Sequence, residues 1–299
     1  MIVQPSTNLK KLIIMNKSIK NWGKVLMIAC LGIGLMTFSF CTKDDPVNPT
    51  PDPVNPTPNP NPTPGPSNSG DSWANLINET PHEAIVNGNT LTYGDHTYTV
   101  SGELTYDQTY YDTPTAFVTF TNIPSGVTEF KAVYDNLLGN TPQGAAAMVP
   151  MAIEIYARDA NVGEQCFNVL CNSSSTVAGI VRTLKTKFNY SQYSPENDQY
   201  VQRYLPAALL KGATYTNGYK PEEPYTVKMS GNPNGIQDAP LTGGTVYYSY
   251  ILTDGGWDTF QRGVEIFQPY GSNKYQVFNC PATYVQCRNI QNGPWQGLK

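Results

Sequence analysis

Histidine is almost missing from this chain: His82 and His96 are the only two in 299 residues. With no G-x-S-x-G elbow in the sequence either, nothing local supports a Ser-His-Asp or Cys-His hydrolase. Charge is also scarce, at 14% Asp, Glu, Lys and Arg, and what there is leans acidic. Five of the 19 basic residues (Lys10, Lys11, Lys17, Lys20 and Lys24) precede residue 41. From Cys41 onward 14 remain against 23 acids, a net of −9. A nucleic-acid ligand needs a basic face, so that class is set aside. The longest apolar run, Val25 to Phe40, holds 16 residues. At about 1.5 Å per residue it reaches about 24 Å, short of the roughly 30 Å hydrocarbon core.

What that run does have is the context of an export signal. The basic segment from Met15 to Lys24 precedes it and Cys41 follows it, the order of parts in a lipoprotein signal peptide. The expected organisation is an N-terminal extension over 1–14, a signal peptide over 15–40, and lipidation at Cys41. Several acyl chains on that cysteine would anchor the protein stably. Lys43-Asp44-Asp45 resembles the basic-then-acidic export signal of Bacteroidota-type surface lipoproteins, which implies display on the outer face of the cell outer membrane.

Proline, in contrast, is concentrated. Asp-Pro-Val-Asn-Pro-Thr-Pro occurs in tandem at 45–51 and 52–58, and ten of the 25 prolines fall between Pro46 and Pro66. Proline fixes φ and removes an N–H, so the segment is excluded from helix and sheet and favours polyproline II. At about 3.1 Å per residue it makes a semi-rigid tether of up to roughly 80 Å. With Cys41 and the export tag, residues 41–70 form one anchoring stretch ahead of a single domain over 71–299.

That domain is expected to be α+β, an antiparallel sheet built from N- and C-terminal strands with a central block of helices packed on it. Thr90–Tyr93, His96–Val100 and Thr115–Phe120 are β-branched and aromatic, the first two joined by Gly94-Asp95 as a hairpin. Phe130, Val133, Tyr134, Leu137 and Leu138 follow a helical period up to Gly139. Pro142 to Arg158 is apolar nearly all round, which predicts a central helix kinked or split at Pro150. Helices are also expected over Ser175–Lys187 and Gln199–Leu210, then strands at Tyr225–Met229, Thr245–Leu252, Gly263–Phe267 and Tyr275–Phe278.

Asn122-Ile123-Pro124-Ser125-Gly126, Thr141-Pro142-Gln143-Gly144-Ala145-Ala146, Val201 to Leu210, and Cys280-Pro281 with Cys287-Arg288 resemble a domain of unknown function found in envelope lipoproteins of gut anaerobes. The similarity spans most of Asn122 to Lys299. It implies architecture and location, and supplies no catalytic residues.

Four cysteines lie in the domain, and an exported context permits disulfides. Cys166 and Cys171, five apart, would stand about 140° apart on one helix and cannot bridge there. Cys280 and Cys287 flank a short segment, so a local disulfide between them is the expectation. Neither C-x4-C nor C-x6-C has structural-zinc spacing, and no motif calls for a metal or other cofactor. Paired carboxylates for glycoside hydrolysis would be sought among Glu103, Asp254, Asp258 and Glu265. The stronger signal is aromatic. Tyr106, Tyr110, Tyr111, Tyr247 and Trp257 sit in strand or loop contexts where rings can stack on sugars or grip a protein. The sequence therefore reads as a surface-displayed binding module for a glycan or protein partner. The rivals are a carbohydrate-active hydrolase and a structural component of an outer-membrane assembly.

The location has a direct test. Cys41→Ala should release the protein from the membrane. Replacing Lys43, Asp44 and Asp45 together with Ala should leave it anchored but shielded from protease added to intact cells; unchanged protease access would defeat the export-tag reading.

Overall fold

The computed structural model describes residues 79–106, 111–188, 202–292 and 295–299. All of them fall in one compact unit, Pro64–Lys299. The leader, Cys41, Lys43, Asp44 and Asp45 lie outside the described residues. Among the described residues no helix is long and apolar enough to cross a membrane.

Eight antiparallel strands run in sequence order across one sheet: β1 (Ala84–Asn87), β2 (Thr90–Tyr93), β3 (His96–Gly102), β4 (Ala116–Phe120), β5 (Tyr225–Ala239), β6 (Gly244–Leu252), β7 (Gln261–Pro269) and β8 (Gln276–Asn279). Glycine at 94 takes φ 61°, which lets Tyr93 pair directly with His96 across a two-residue turn. The two halves meet at one seam, where Ala116, Val118 and Phe120 of β4 pair with Met229, Val227 and Tyr225 of β5. All six of these side chains are buried, so the seam is pinned by hydrophobic burial as well as by its ladder. An α+β fold with strands at both ends results.

Between β4 and β5 the chain is helical: α1 (Val127–Asn136), α2 (Pro142–Arg158), α3 (Ala160–Leu170) and α4 (Ser174–Lys187). The apolar periodicities of α1, α2 and α4 are those of the sequence. Thr141 caps α2, accepting from Gly144 N at 3.1 Å, and Pro142 stands in its first turn. Pro150 does not split α2, which runs unbroken through it. From Gln143 to Ala157 every residue of that helix is buried, so tertiary packing outweighs the one lost ladder bond.

One helix is unannounced in the sequence, and two expectations need correction. Asp159 caps α3 by accepting from Asn161 N and Val162 N, and this helix follows so closely on α2 that it has no separate announcement in the sequence. The stretch expected as a helix to Leu210 is, from Gln202 on, a set of turns ending in a short 3-10 helix, Ala207–Leu209. Residues 202–210 are all buried, so they fill the core without presenting a helical face. Cys280 and Cys287 are free buried thiols rather than a disulfide. The segment between them, Pro281–Thr283, is a 3-10 turn, and Cys287 is turned toward Gln202, whose Oε1 accepts from its N at 2.8 Å.

Glu154 is the costly residue of α2: it is fully buried among apolar neighbours. Arg158, one turn on, donates from Nε to its Oε1 at 2.6 Å, and Arg203 Nη2 lies 3.8 Å from the same oxygen. Arg158 then reaches the tail, donating from Nη2 to Leu298 O at 2.7 Å. Removing one partner of such a pair strands a buried charge. Arg158→Ala should lower unfolding stability by about 3–5 kcal/mol in denaturant titration; a loss below about 1 kcal/mol, the range of an exposed ion pair, would contradict this account.

Candidate functional site

Among the described residues, the expected aromatic set divides between separate places. Tyr106 is half-buried against β5, where a side chain at Gly231 would collide with its ring. Burial raises its hydroxyl pKa, with Tyr247 and Tyr275 adding to the effect. Tyr247 packs edge-on against Tyr275 with centroids 5.3 Å apart and donates to Gln268 Oε1 at 3.0 Å. These rings serve packing. Tyr111 is 40% exposed and its carbonyl accepts from Ser230 Oγ, while Tyr110 lies outside the described residues. Trp257 stands elsewhere, in the loop between β6 and β7.

Trp257 lines a shallow cleft of about 400 Å³ with Asp258, Gln286 and Arg288. The Arg262 guanidinium lies 4.8 Å over its ring. Arg262 is buried on β7, and its hydrogen bonds run from Nη2 to Thr259 O at 2.8 Å and Thr259 Oγ1 at 2.5 Å. Burial pulls its pKa below the ordinary value. The cation–π contact therefore both fixes the ring and compensates a desolvated charge. Asp258 and Arg288 form an ion pair at the cleft, and Arg288 also lies 5.1 Å over Tyr215.

A second cleft, of about 490 Å³, is lined by Glu223, Tyr225, Asn292, Trp295, Gln296 and Lys299, among others. Its wall is the C-terminal tail. Lys299 N donates to Tyr225 Oη at 2.9 Å, Ile123 N donates to Lys299 O at 2.8 Å, and Lys299 Nζ pairs with Glu223 at 2.6 Å. Sequence reasoning overlooked Trp295, Arg262 and Tyr215 as site residues. The Gly293-Pro294-Trp295-Gln296-Gly297 run, a tryptophan among turn residues, was the available signal.

Three of the four candidate acids are engaged with other partners. Asp254 pairs with Lys228 at 2.5 Å and accepts from Gly212 N, Asp258 is held by Arg288, and Glu265 sits with Asn279 at 3.4 Å. Burial raises the pKa of Glu265. Among the described residues no group of three or more His, Cys, Asp or Glu is placed to hold a metal. Burial also keeps all four thiols protonated, with Cys280 and Cys287 pushed up to about 12. Such thiols are poor nucleophiles.

One cluster has the members of a catalytic triad in the wrong order. Glu129 is buried and central: it accepts from Tyr98 Oη and from Ser125 N and Oγ, and bonds His96 Nδ1, each at 2.7 Å. Ser125 thus spends its proton on the carboxylate and not on the imidazole, so no base activates it. The bond to Glu129 raises the His96 pKa against the lowering effect of burial. Burial pushes Glu129 up, but its bonds from His96, Ser125 and Tyr98 together hold it below its ordinary value. The raised His96 contributes stability that is complete below 6.5 and lost as pH rises through its folded pKa. The depressed Glu129 contributes above 4.5 and loses that contribution as pH falls. Thermal midpoints should therefore show a stability component largest between about pH 4.5 and 6.5 that His96→Gln removes; an unchanged pH profile in that variant would refute the linkage.

No curated protein and no solved structure matches the chain. Residues 122–291, spanning α1 to the segment that lines the Trp257 cleft, match the family described as "Domain of unknown function (DUF6935)". That match covers more than half of the sequence, and the chain belongs to this family.

Proposed function

We propose that the protein is a lipoprotein anchored through Cys41 to the outer membrane, displayed by the Lys43-Asp44-Asp45 signal, and that its domain is a non-catalytic glycan-binding module. The observation that carries the reading is the Trp257 cleft. An indole held by Arg262, an opposed Asp258–Arg288 pair and the Gln286 amide converge on one shallow surface. Apolar ring faces with a rim of donors and acceptors suit the C–H faces and hydroxyls of a sugar. The proline-rich tether would hold that surface away from the membrane, toward polymers in the medium.

Because the charges at the cleft pair with each other, attraction should owe little to long-range steering. On a glycan array, Trp257→Ala should weaken binding at least about ten-fold, the loss of one dominant contact, while raising salt from low to physiological should change it little. Ligands that survive Trp257→Ala, or whose affinity collapses with modest salt, would overturn the reading.

A further inference from the structure

The two tryptophan clefts share one set of parts. Each holds an indole, an ion pair and a glutamine: Trp257, Asp258–Arg288 and Gln286 in one, Trp295, Glu223–Lys299 and Gln296 in the other. Of the charged side chains lining them, only Lys220 stands outside an ion pair among the described residues. Both clefts border the same short 3-10 turn, Tyr215–Asn217. Arg288 of the first cleft covers the Tyr215 ring, Gln291 N donates to Tyr215 O at 2.9 Å, and Asn292 of the second donates to Thr216 O at 3.1 Å. The stretch from Gln286 to Asn292 therefore runs along that turn from one cleft to the other.

Both indole rings are partly buried, packed against the core while lining their clefts. A ring held in this way is a ready platform for the C–H face of a sugar. Each cleft alone is near the small end of ligand sites and would grip a short ligand weakly. A ligand reaching both gains from effective concentration.

We propose that the two clefts are subsites of one extended site for a linear, uncharged polysaccharide, which crosses Tyr215 and contacts Trp257 at one end and Trp295 at the other. The proposal rests on the reading of the Trp257 cleft as a glycan contact, and adds the length and charge class of the ligand.

The test is calorimetric titration of the full chain with neutral linear gluco-, manno-, xylo- and galacto-oligosaccharides of increasing length, from disaccharides upward. In at least one series affinity should rise ten-fold or more once the oligosaccharide spans both clefts. Trp257→Ala should weaken every length, whereas Trp295→Ala should erase only the gain of the long members. Because Trp295 packs partly against the core, Trp295→Phe and the exposed Gln296→Ala serve as second variants, each expected to reduce the long-ligand gain without lowering the melting temperature. If Trp295 and Gln296 variants leave the length dependence intact, or weaken short and long ligands alike, the extended site is refuted while the Trp257 reading stands. If no oligosaccharide binds, both fall.

Discussion

A single buried carboxylate ties the centre of this molecule to its edge. Glu154 sits on a helix that is enclosed along most of its length, where an unpaired charge would be intolerable. Arg158 and Arg203 satisfy that demand, and Arg158 has donors left over for the Leu298 carbonyl. A requirement of the core thus places the C-terminal tail. That tail is one wall of the Trp295 cleft, so the geometry of a surface feature is set by electrostatics in the interior. The tail's other holds, Lys299 to Tyr225 and Ile123 to Lys299, fall on the start of β5 and the chain just after β4, beside the seam that joins the two halves of the sheet.

Glu129 serves a comparable role at the other end of the helical layer. Four hydrogen bonds from three residues stabilise its charged form and lock α1 onto β3. Its neighbours are the residue types from which hydrolases are built, yet connectivity decides chemistry: with the carboxylate in the middle, neither the serine nor the histidine is poised to act on a substrate. These polar groups of the interior are thereby committed to holding the fold.

Local pattern accounts for much of this architecture. β2 and β3 were legible because Gly94-Asp95 separates two period-two runs, and α1, α2 and α4 because their apolar residues recur at helical spacing. The failures have physical causes as well. Residues 202–210 are buried on all sides, so their apolar run carries no periodicity that distinguishes turn from helix. Helix α3 begins at a cap that is also the end of α2, leaving no loop to mark it. Cys280 and Cys287 are close in sequence but answer to different tertiary neighbours, which spacing cannot reveal. At the site, Trp257 could be singled out as a loop aromatic. Its partner Arg262 falls just ahead of the expected strand Gly263–Phe267 and carries no pattern of its own, and Trp295 acquires meaning only when the tail is docked by Arg158. Tyr106 and Tyr247 went the other way: one in the chain after β3 and one on β6, they are consumed by packing against Gly231 and Tyr275.

If the proposed extended site exists, the Trp257 and Trp295 clefts take up one ligand together. The most direct measurement is the pair of indole N–H resonances of Trp257 and Trp295, assigned by substitution and followed by ¹H–¹⁵N NMR during titration with a long neutral oligosaccharide. One bound chain contacting both clefts should move both resonances along the same saturation curve. Shifts confined to residues outside the two clefts, or two indoles that saturate at different ligand concentrations, would contradict it.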